Sequence, residues 1–407
     1  MAGDKRPNDV DGAFIMRVVV VLTQPPLPEG GAQGKCAIGL IRGLCAHGVD
    51  VQGIALKGHG SPLGEVPKDL PVEVVDITAE ASRPRSSPLA GLRRPRGALA
   101  RGEFQMRIRE ATRDADVLHL EETETAWCDL GAYAPSLVHM HYRVRRDRGW
   151  TEPWLASGLD EGTYSLRDRF DGFTTMLQYA LAERVAMRRH RYLAASSPVV
   201  ADEIRRATPR ADVVLSPLSL DPAYYPIAPL DGPPTAGIIG TLAWRPTAEA
   251  VRRLLRHVWP KVAERMPEAR LQIAGRGMAS IARSLDFPGV QVLGEVASAS
   301  AFLRGLSVLL YPLERGSGMK VKVLESLATG VPVVTTVPGA EGIEGGNGVV
   351  IERDDARLAA ATIEILTDPD QRRERGLAAR QAFERLYTPE AATAPLIDLY
   401  ARMAASK

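Results

Sequence analysis

The segment from Gly316 to Pro332, GSGMKVKVLESLATGVP, places a glycine loop, two lysines and one glutamate at the start of a predicted helix. Gly316 and Gly318 lack a Cβ, so the backbone there can turn sharply and direct several amide N–H groups toward an anion. A helix that begins after such a loop presents its positive end to the same anion. The segment therefore predicts a phosphate site, to which Lys320 adds positive charge.

A second pair of charges follows in the same helix. Lys322 and Glu325 are three residues apart and therefore share one helix face. A carboxylate beside a phosphate site suits a pair of ribose hydroxyls, from which it accepts in a bidentate manner. The simpler alternative is a surface salt bridge between the two side chains. The β-branched run from Val333 to Thr336 favours a ligand site, because strand, glycine loop, helix and strand form a βαβ unit.

The stretch from Tyr311 to Ile343 resembles the donor-site segment of glycosyltransferase family 4, a group of retaining enzymes with the GT-B fold. It is similar to the subgroup with a GxGx(R/K)xKxLE motif. The resemblance implies that Glu325 binds the nucleotide ribose, and that the loop binds the pyrophosphate. Ser317 stands where the family commonly has a glutamate near the donor sugar. The donor-binding residues implied here are Gly316, Ser317, Gly318, Met319, Lys320, Val321, Lys322 and Glu325.

The resemblance implies roles for other segments as well. Gly30 and Gly31, after the first predicted strand, would lie near the donor phosphates and the acceptor. Arg245 would neutralise the pyrophosphate together with Lys320, and His141 would hydrogen-bond a donor-sugar hydroxyl. The alternative for Gly30 and Gly31 is a flexible turn, that for Arg245 is a solvated loop arginine, and that for His141 is a structural histidine at a strand end. Residues near the nucleotide base would be Leu293, Gly294 and Glu295.

Acidic residues follow or precede one strand of the first half of the chain. Glu121 and Glu122 come after the strand Val117 to Leu120 and are candidates for binding acceptor hydroxyls or amines, with plain loop surface as the alternative. Asp114 and Asp116 imitate a DxD metal motif, but they precede the strand, whereas ligands meet parallel strands at their carboxyl ends. We therefore expect no metal and no other cofactor.

Composition and length set broader limits. The chain has 407 residues, is 45% hydrophobic and carries a net charge of +2, which suits two globular domains and gives no argument for a nucleic-acid partner. Its three cysteines show no CxxC spacing, so neither a disulfide framework nor a zinc site is indicated. The apolar run from Phe14 to Leu22 is too short to span a bilayer, and no signal peptide is evident. These features predict a cytoplasmic protein.

The order of strands and helices predicts an α/β protein with two Rossmann-like, doubly wound domains in tandem. The resemblance implies that the two domains face each other across a cleft, as in the GT-B fold. Near-continuous apolar strands alternate with helices in both halves. We expect a disordered tail at 1–13, a Rossmann-like domain at 14–217, a proline-rich linker at 218–234, a second Rossmann-like domain at 235–387 and a final helix at 388–407. The resemblance implies that the first domain binds the acceptor, that the second binds the nucleotide sugar, and that the final helix crosses back to the first domain.

A basic, proline-interrupted loop lies between residues 83 and 101. A solvated, disordered loop is the default interpretation. The alternative is contact with an anionic acceptor or an anionic membrane surface at the inner face, where aromatic residues would add anchoring. The residues concerned are Arg83, Arg85, Arg93, Arg94, Arg96 and Arg101, with Arg143, Arg145, Arg146 and Arg148 beside Trp150 and Trp154.

Taken together, the sequence predicts a retaining glycosyltransferase that transfers a sugar from a nucleotide diphosphate sugar, UDP being favoured, to a hydroxyl or amine acceptor. The predicted catalytic residues are His141, Arg245 and Lys320. Two alternatives stay open: a sugar-nucleotide 2-epimerase of the same fold, and a catalytically silent nucleotide-sugar-binding subunit. The acceptor, the donor base and the donor sugar are not fixed by the sequence.

Overall fold

The computed structural model describes residues 15–58, 61–62, 64–78, 102–146, 166–278, 287 and 289–406. The predicted tail at 1–13 and the basic loop at 83–101 lie outside these residues, and so do Arg148, Trp150 and Trp154.

Seven parallel strands form the first sheet, in the order β3-β2-β1-β4-β5-β6-β7. The central β1 is a run of valines that are fully buried, as expected for a strand with helices on both faces. The strands are β1 (Arg17–Leu22), β2 (Asp50–Lys57), β3 (Val72–Asp76), β4 (Val117–Glu121), β5 (Ser136–Met140), β6 (Tyr192–Ala195) and β7 (Asp212–Leu215). The helices are α1 (Ala32–Ala46), α2 (Gly102–Ala111), α3 (Leu166–Arg189) and α4 (Pro198–Ala207).

Six parallel strands form the second sheet, in the order β10-β9-β8-β11-β12-β13. The strands are β8 (Thr235–Ile239), β9 (Arg270–Ala274), β10 (Val290–Gly294), β11 (Val308–Tyr311), β12 (Val333–Thr335) and β13 (Val349–Ile351). The helices are α5 (Arg245–Arg253), α6 (Trp259–Arg265), α7 (Ala299–Arg304), α8 (Val321–Ala328), α9 (Asp355–Thr367), α10 (Pro369–Leu386) and α11 (Pro389–Ala404), with a π-helical turn (Leu254–Val258) joining α5 to α6.

The predicted fold class, two parallel α/β sheets of the doubly wound type, is confirmed. The strands β7 and β13 were not predicted. Each lies at an edge of its sheet, is only three or four residues long and is only partly buried. Runs of three or four residues are too short to show a period, although both are apolar, which is why periodicity did not reveal these strands.

The last helix, α11, packs against α1 of the first domain. The two helices approach so closely that a Cβ on Gly43 would overlap the Pro389 carbonyl oxygen. Leu396 and Tyr400 are fully buried among the side chains of the first sheet and α1. The chain's final helix is therefore part of the first domain's core.

Both sheets change winding direction at one place, between β1 and β4 in the first and between β8 and β11 in the second. At such switch points the loops leave the strand ends in opposite directions and open a crevice for ligands. The loops after β1, β4 and β5 meet the loops after β8 and β11 there, because all these strands present their carboxyl ends to the same cleft.

Candidate active site

A cleft of about 590 Å³ lies between the two domains, at the carboxyl ends of the strands. Its walls are predominantly made by loops rather than by the sheets themselves. First-domain residues that line it include Glu29, Gly30, Gly31, Gln33, Lys35, Glu122, Glu124, His141, Tyr142 and Tyr179. Second-domain residues include Thr241, Trp244, Thr247, Arg276, Glu295, Val296, Tyr311, Ser317, Met319, Lys320, Val321 and Lys322.

The predicted glycine loop precedes α8 and is docked against the first domain. Gly318 has a φ of 74°, and a Cβ on it would overlap the His141 carbonyl oxygen, so the position requires glycine. The backbone amide of Gly318 donates to Oε1 of Glu341 over 2.8 Å. The hydroxyl of Ser317 accepts from the backbone amide of Arg143 over 2.9 Å. The Gly318 amide therefore serves a carboxylate in this structure, not the phosphate cradle that the sequence predicted.

The two predicted lysines lie at the beginning of α8 and line the cleft. Lys320 is the N-cap residue and is buried, and its Nζ donates to the Gly318 carbonyl over 2.5 Å. The first turn of α8 carries no acidic residue, so the helix dipole and the lysines add to one another at this wall. The arrangement suits a doubly charged phosphate group, and the phosphate role of Lys320 and Lys322 stays a prediction.

Glu325 lies one turn further along α8 and is fully buried. Its Oε1 accepts from Lys35 Nζ (2.8 Å) and from the Tyr225 hydroxyl (3.1 Å), and its Oε2 accepts from Lys322 Nζ (2.8 Å). Burial alone would raise the pKa of this carboxyl, but the two lysines lower it to about 2. The predicted Lys322–Glu325 salt bridge is present, but it is part of a buried cluster and not a surface pair.

The contacts within this cluster restrict the access of a ribose to Glu325, for which a ribose-binding role was predicted. Both carboxylate oxygens are already engaged, and the residue does not belong to the cleft wall. A ribose hydroxyl reaches the fully buried Glu325 only if a side chain that covers it moves, so the role stays a prediction.

Arg245 was predicted at the pyrophosphate, but the structure does not bring it to the cleft wall. It is the first residue of α5, and its Nε donates to Glu249 one turn later over 2.8 Å. Glu249 also pairs with Arg315, so one carboxylate binds both guanidinium groups. Arg276, after β9, is the arginine that lines the cleft instead.

Of the three residues predicted to lie near the nucleotide base, one lines the cleft and two do not. Glu295 lines the cleft, followed by Val296. Leu293 and Gly294 end β10, and the Leu293 side chain is exposed outside the cleft wall. The Gly294 carbonyl accepts from the Gly275 amide, which fixes the two loops to each other.

Three histidines surround the carboxylate of Glu121, at the ends of β4 and β5. Its Oε2 lies 2.8 Å from His119 Nε2 and 3.0 Å from His139 Nδ1, and its Oε1 lies 2.8 Å from His141 Nε2. Burial opposes ionisation of Glu121, but the charges and hydrogen bonds of the histidines hold its pKa well below its usual range. The predicted acceptor role of Glu121 is therefore wrong in geometry, because the side chain turns into the domain and not toward the cleft.

The atoms that face each histidine ring indicate which ring nitrogens donate hydrogen bonds in this cluster. Both ring nitrogens of His139 face oxygen atoms, one of the Glu121 carboxylate and one of the Ser216 carbonyl. His119 donates through Nε2 to Glu121 and accepts through Nδ1 from the Tyr400 hydroxyl at 2.5 Å, the arrangement of a neutral ring. Burial lowers the pKa of His119, which agrees with that tautomer.

His119, Glu121 and His139 are also the group of described residues whose ligand atoms lie close enough together, within 4.8 Å, to hold a metal ion. Hydrogen bonds within the protein already satisfy all three, so the geometry does not require one. His141, the predicted catalytic histidine, lies at the cleft end of the cluster and lines the cleft.

Glu122 turns the opposite way from Glu121 and enters the cleft wall together with Glu124. Glu122 Oε2 accepts from the Thr23 hydroxyl (2.7 Å), and Glu124 Oε1 accepts from the Tyr142 hydroxyl (3.0 Å). Burial, and then the charge of Glu124, raise the pKa of Glu122 well above its usual range. The acceptor role predicted for Glu122 is compatible with this placement.

The basic segment after β5 is not arranged as a membrane anchor in the part that is described. Arg143 is buried and pairs with Glu183 at 3.2 Å, and Arg146 pairs with Glu341 at 2.7 Å. Ion pairs within the protein, not an exposed patch, account for these two arginines. Among the described residues, no helix is both long and apolar enough to cross a membrane.

Several residues of the site were not predicted, or were noted without a role. Lys35 was seen only as part of the first glycine cluster, GGAQGK, although that cluster was the signal available for it. Tyr225 was assigned to the linker, and its contact with Glu325 spans 100 positions of sequence. Glu124 and Tyr142 meet across two loops, a pairing that no local pattern encodes.

Comparison with known proteins finds a family match in the second domain. Residues 233–368 match the family model described as glycosyl transferases group 1. No curated protein matches the sequence. Solved structures share the whole architecture at low identity: sucrose-phosphate synthase from Thermosynechococcus elongatus has a TM-score of 0.64 and 17% identity, covering 96% of this chain and 100% of that one.

Two further solved structures are similar over the same span. HepE of Anabaena, in complex with UDP and glucose, has a TM-score of 0.61 and 14% identity, covering 95% of this chain and 100% of that one. TarM of S. aureus, in complex with Fondaparinux, alpha-GlcNAc-glycerol and UDP, has a TM-score of 0.67 and 8% identity, with coverages of 95% and 100%. The chain has the GT-B fold of these glycosyltransferase structures.

Proposed function

We propose that the protein is a retaining glycosyltransferase that transfers a sugar from a UDP-sugar to a hydroxyl of an acceptor bound by the first domain. The observation that carries the proposal is the positive cleft wall at the start of α8, where Lys320 and Lys322 lie beside a helix N-terminus. The group 1 glycosyl transferase match at 233–368 contains this entire wall. UDP is proposed because HepE and TarM were solved with it.

The reaction has simple requirements in this cleft. The acceptor oxygen bonds to C1 of the donor sugar, the bond from C1 to the diphosphate oxygen breaks, and the acceptor proton passes to the departing phosphate on the same face. Lys320, Lys322 and the α8 N-terminus stabilise the charge that develops on the diphosphate. His141, across the cleft and tied to Glu121, positions a donor-sugar hydroxyl.

Nucleotide binding is the first test. A thermal-shift panel with UDP, GDP and TDP, each with and without its sugar, should raise the melting temperature most for the uridine compounds, because a ligand that binds only the folded state stabilises it. No shift with any nucleotide would contradict the donor site.

Product analysis with radiolabelled UDP-glucose and UDP-N-acetylglucosamine then identifies the reaction. A new glycoside whose anomeric configuration matches the donor supports a retaining transferase, whereas an isomerised sugar nucleotide indicates a 2-epimerase and unchanged donor a silent binding subunit. We propose that no metal takes part, since the lysines that line the cleft wall supply positive charge to the leaving diphosphate. Activity should survive excess EDTA; loss restored by manganese would contradict this part of the proposal.

A further inference from the structure

The two walls of the cleft differ in their balance of charged side chains. Glu29, Glu122 and Glu124 with Lys35 make the first-domain wall mainly acidic, whereas Lys320, Lys322 and Arg276 with Glu295 make the second mainly basic. The basic wall suits the donor diphosphate, as proposed above. The acidic wall faces the place where the acceptor must lie, so it bears on the acceptor's chemistry.

Glu124 is the most informative residue of that wall. Its side chain is more than nine-tenths buried and its Oε1 accepts from Tyr142. Its Oε2 is buried and has no hydrogen-bond partner among the residues that the structure describes. A buried carboxylate oxygen without a donor is costly, and in a ligand cleft it points to a donor on the ligand.

Glu122 strengthens the same conclusion. Its backbone has φ 73° and ψ 155°, a conformation that L side chains rarely adopt, and this strain turns the carboxyl group toward the cleft. Its Oε2 accepts from Thr23, while His141 Nδ1 lies 3.7 Å from its Oε1. Two carboxyl groups from one short turn therefore share the acceptor side of the cleft.

We propose that the acceptor is a polyhydroxylated amine, of the amino-sugar or aminocyclitol kind, whose protonated amine binds between Glu122 and Glu124. The proposal rests on the proposed glycosyltransferase function and specifies its acceptor. An ammonium group offers three donors and a positive charge, which satisfy the unpartnered Glu124 oxygen and offset the repulsion between the two carboxyls. Because the amine is held as an ammonium ion, a hydroxyl of the same molecule is the nucleophile.

The test uses matched pairs of compounds that differ only in the amine: methyl α-glucosaminide with methyl α-glucoside, and 2-deoxystreptamine with its counterpart in which hydroxyls replace the amines. Binding to the full-length protein is measured by calorimetry, with and without saturating UDP. We expect an amine to bind about tenfold to a hundredfold more tightly than its hydroxyl partner, the range of a charged hydrogen bond. Equal binding within every pair, or no binding of any amine, would overturn the proposal.

Two variants and one control sharpen the result. Glu124→Gln and Glu122→Gln should remove the preference for the amine while UDP still raises the melting temperature, which shows that the protein is folded and the donor site intact. Glu110→Gln, an exposed glutamate on α2, should leave the preference unchanged. If Mg²⁺ or Mn²⁺ binds at these carboxyls in place of the amines, the proposal fails.

The outcomes also separate this proposal from the function on which it rests. If the protein binds UDP but shows no preference for amines, the proposed acceptor class is contradicted and the glycosyltransferase proposal is not. If the protein binds amines through Glu122 and Glu124 but neither binds UDP nor consumes a sugar nucleotide, the proposed glycosyltransferase function is contradicted instead.

Discussion

The Lys35 ammonium lies 2.8 Å from Oε1 of Glu325, and this ion pair joins α1 of the first domain to α8 of the second. Its side chains are 7% and 0% exposed, so water hardly reaches them. Charges are removed from water at considerable cost, and a buried charge that loses its partner destabilises the fold strongly. The pair therefore links the relative position of the domains to the helix that carries the proposed donor site.

Replacing Lys35 by methionine is expected to lower the free energy of unfolding by about 3 kcal/mol, because Glu325 then stays buried with less compensation. The matched control is Lys57→Met, which breaks the Lys57–Asp76 pair, whose side chains are 44% and 45% exposed. That surface pair should contribute less than about 1 kcal/mol. Chemical denaturation of both variants measures the difference, and equal losses would show that burial of the Lys35 pair is without energetic consequence.

The same carboxylate gives a prediction on pH. The pKa of Glu325 is lowered from 4.5 to about 2, so its ionised form stabilises the native state fully above about pH 4.5. Between those two values the unfolded chain takes up the proton first, and this contribution is lost as the pH falls. Glu325→Gln should therefore be less stable than the wild type at neutral pH, by an amount that shrinks as the pH falls from 4.5 toward 2.

Denaturation curves of the two proteins at several pH values measure that difference. Glu264→Gln, an exposed position on α6, is the control and should differ little from the wild type at any of them. A difference between wild type and Glu325→Gln that does not change with pH would show that the carboxyl is not ionised by its lysines.

Local patterns were enough for the fold but not for the interdomain contacts. The valines of β1 and the GSGMKVKVLE segment predicted a strand and a glycine loop opening a helix, because these depend on neighbours in sequence. Lys322, three residues from Glu325, was also within reach of such patterns, but the second lysine on Glu325 is Lys35, which is 290 positions away. No periodicity encodes such a pairing, which arises only when two separately built domains meet.

The direction in which each side chain points was the second feature that could not be predicted from the sequence. Glu121 and Glu122 are adjacent, and residue type alone predicted one role for both. Glu121 is the last residue of β4 and turns to the histidine cluster, whereas Glu122, directly after the strand and with a positive φ, lies in the cleft wall. Arg245 shows the same limit, since a glutamate one helical turn later competes for its guanidinium. Residue type predicted the chemistry of the site, and only the structure shows which groups are free to perform it.

Lys320 gives a direct test of the donor wall. Lys320→Met should weaken UDP binding by about tenfold to a hundredfold, the loss expected for a charged hydrogen bond, while leaving the affinity for uridine unchanged. Calorimetry with both ligands separates phosphate recognition from base and ribose recognition. Lys261→Met, an exposed lysine of α6, is the matched control and should bind UDP as the wild type does. Equal weakening of uridine and UDP would mean that Lys320 holds the loop and not the phosphate.

Two glycines with nearly the same backbone test the docking of the donor loop on the first domain. Gly318 and Gly48 have φ values of 74° and 76°, so alanine is strained to a similar extent at both. A Cβ at Gly48 meets nothing within 4 Å, whereas one at Gly318 overlaps the His141 carbonyl oxygen. Gly48→Ala should therefore cost only the local strain, about 1 kcal/mol.

Gly318→Ala should cost clearly more than Gly48→Ala and should also weaken UDP binding, because the loop must move away from His141 and displace the start of α8. Thermal denaturation and UDP titration of both variants give the two quantities. Since the left-handed backbone is common to the pair, any excess in Gly318→Ala measures the close approach of the two domains. Equal stability and equal UDP affinity in the two variants would mean that the loop accommodates the methyl group, and that its contact with His141 does not hold the donor wall in place.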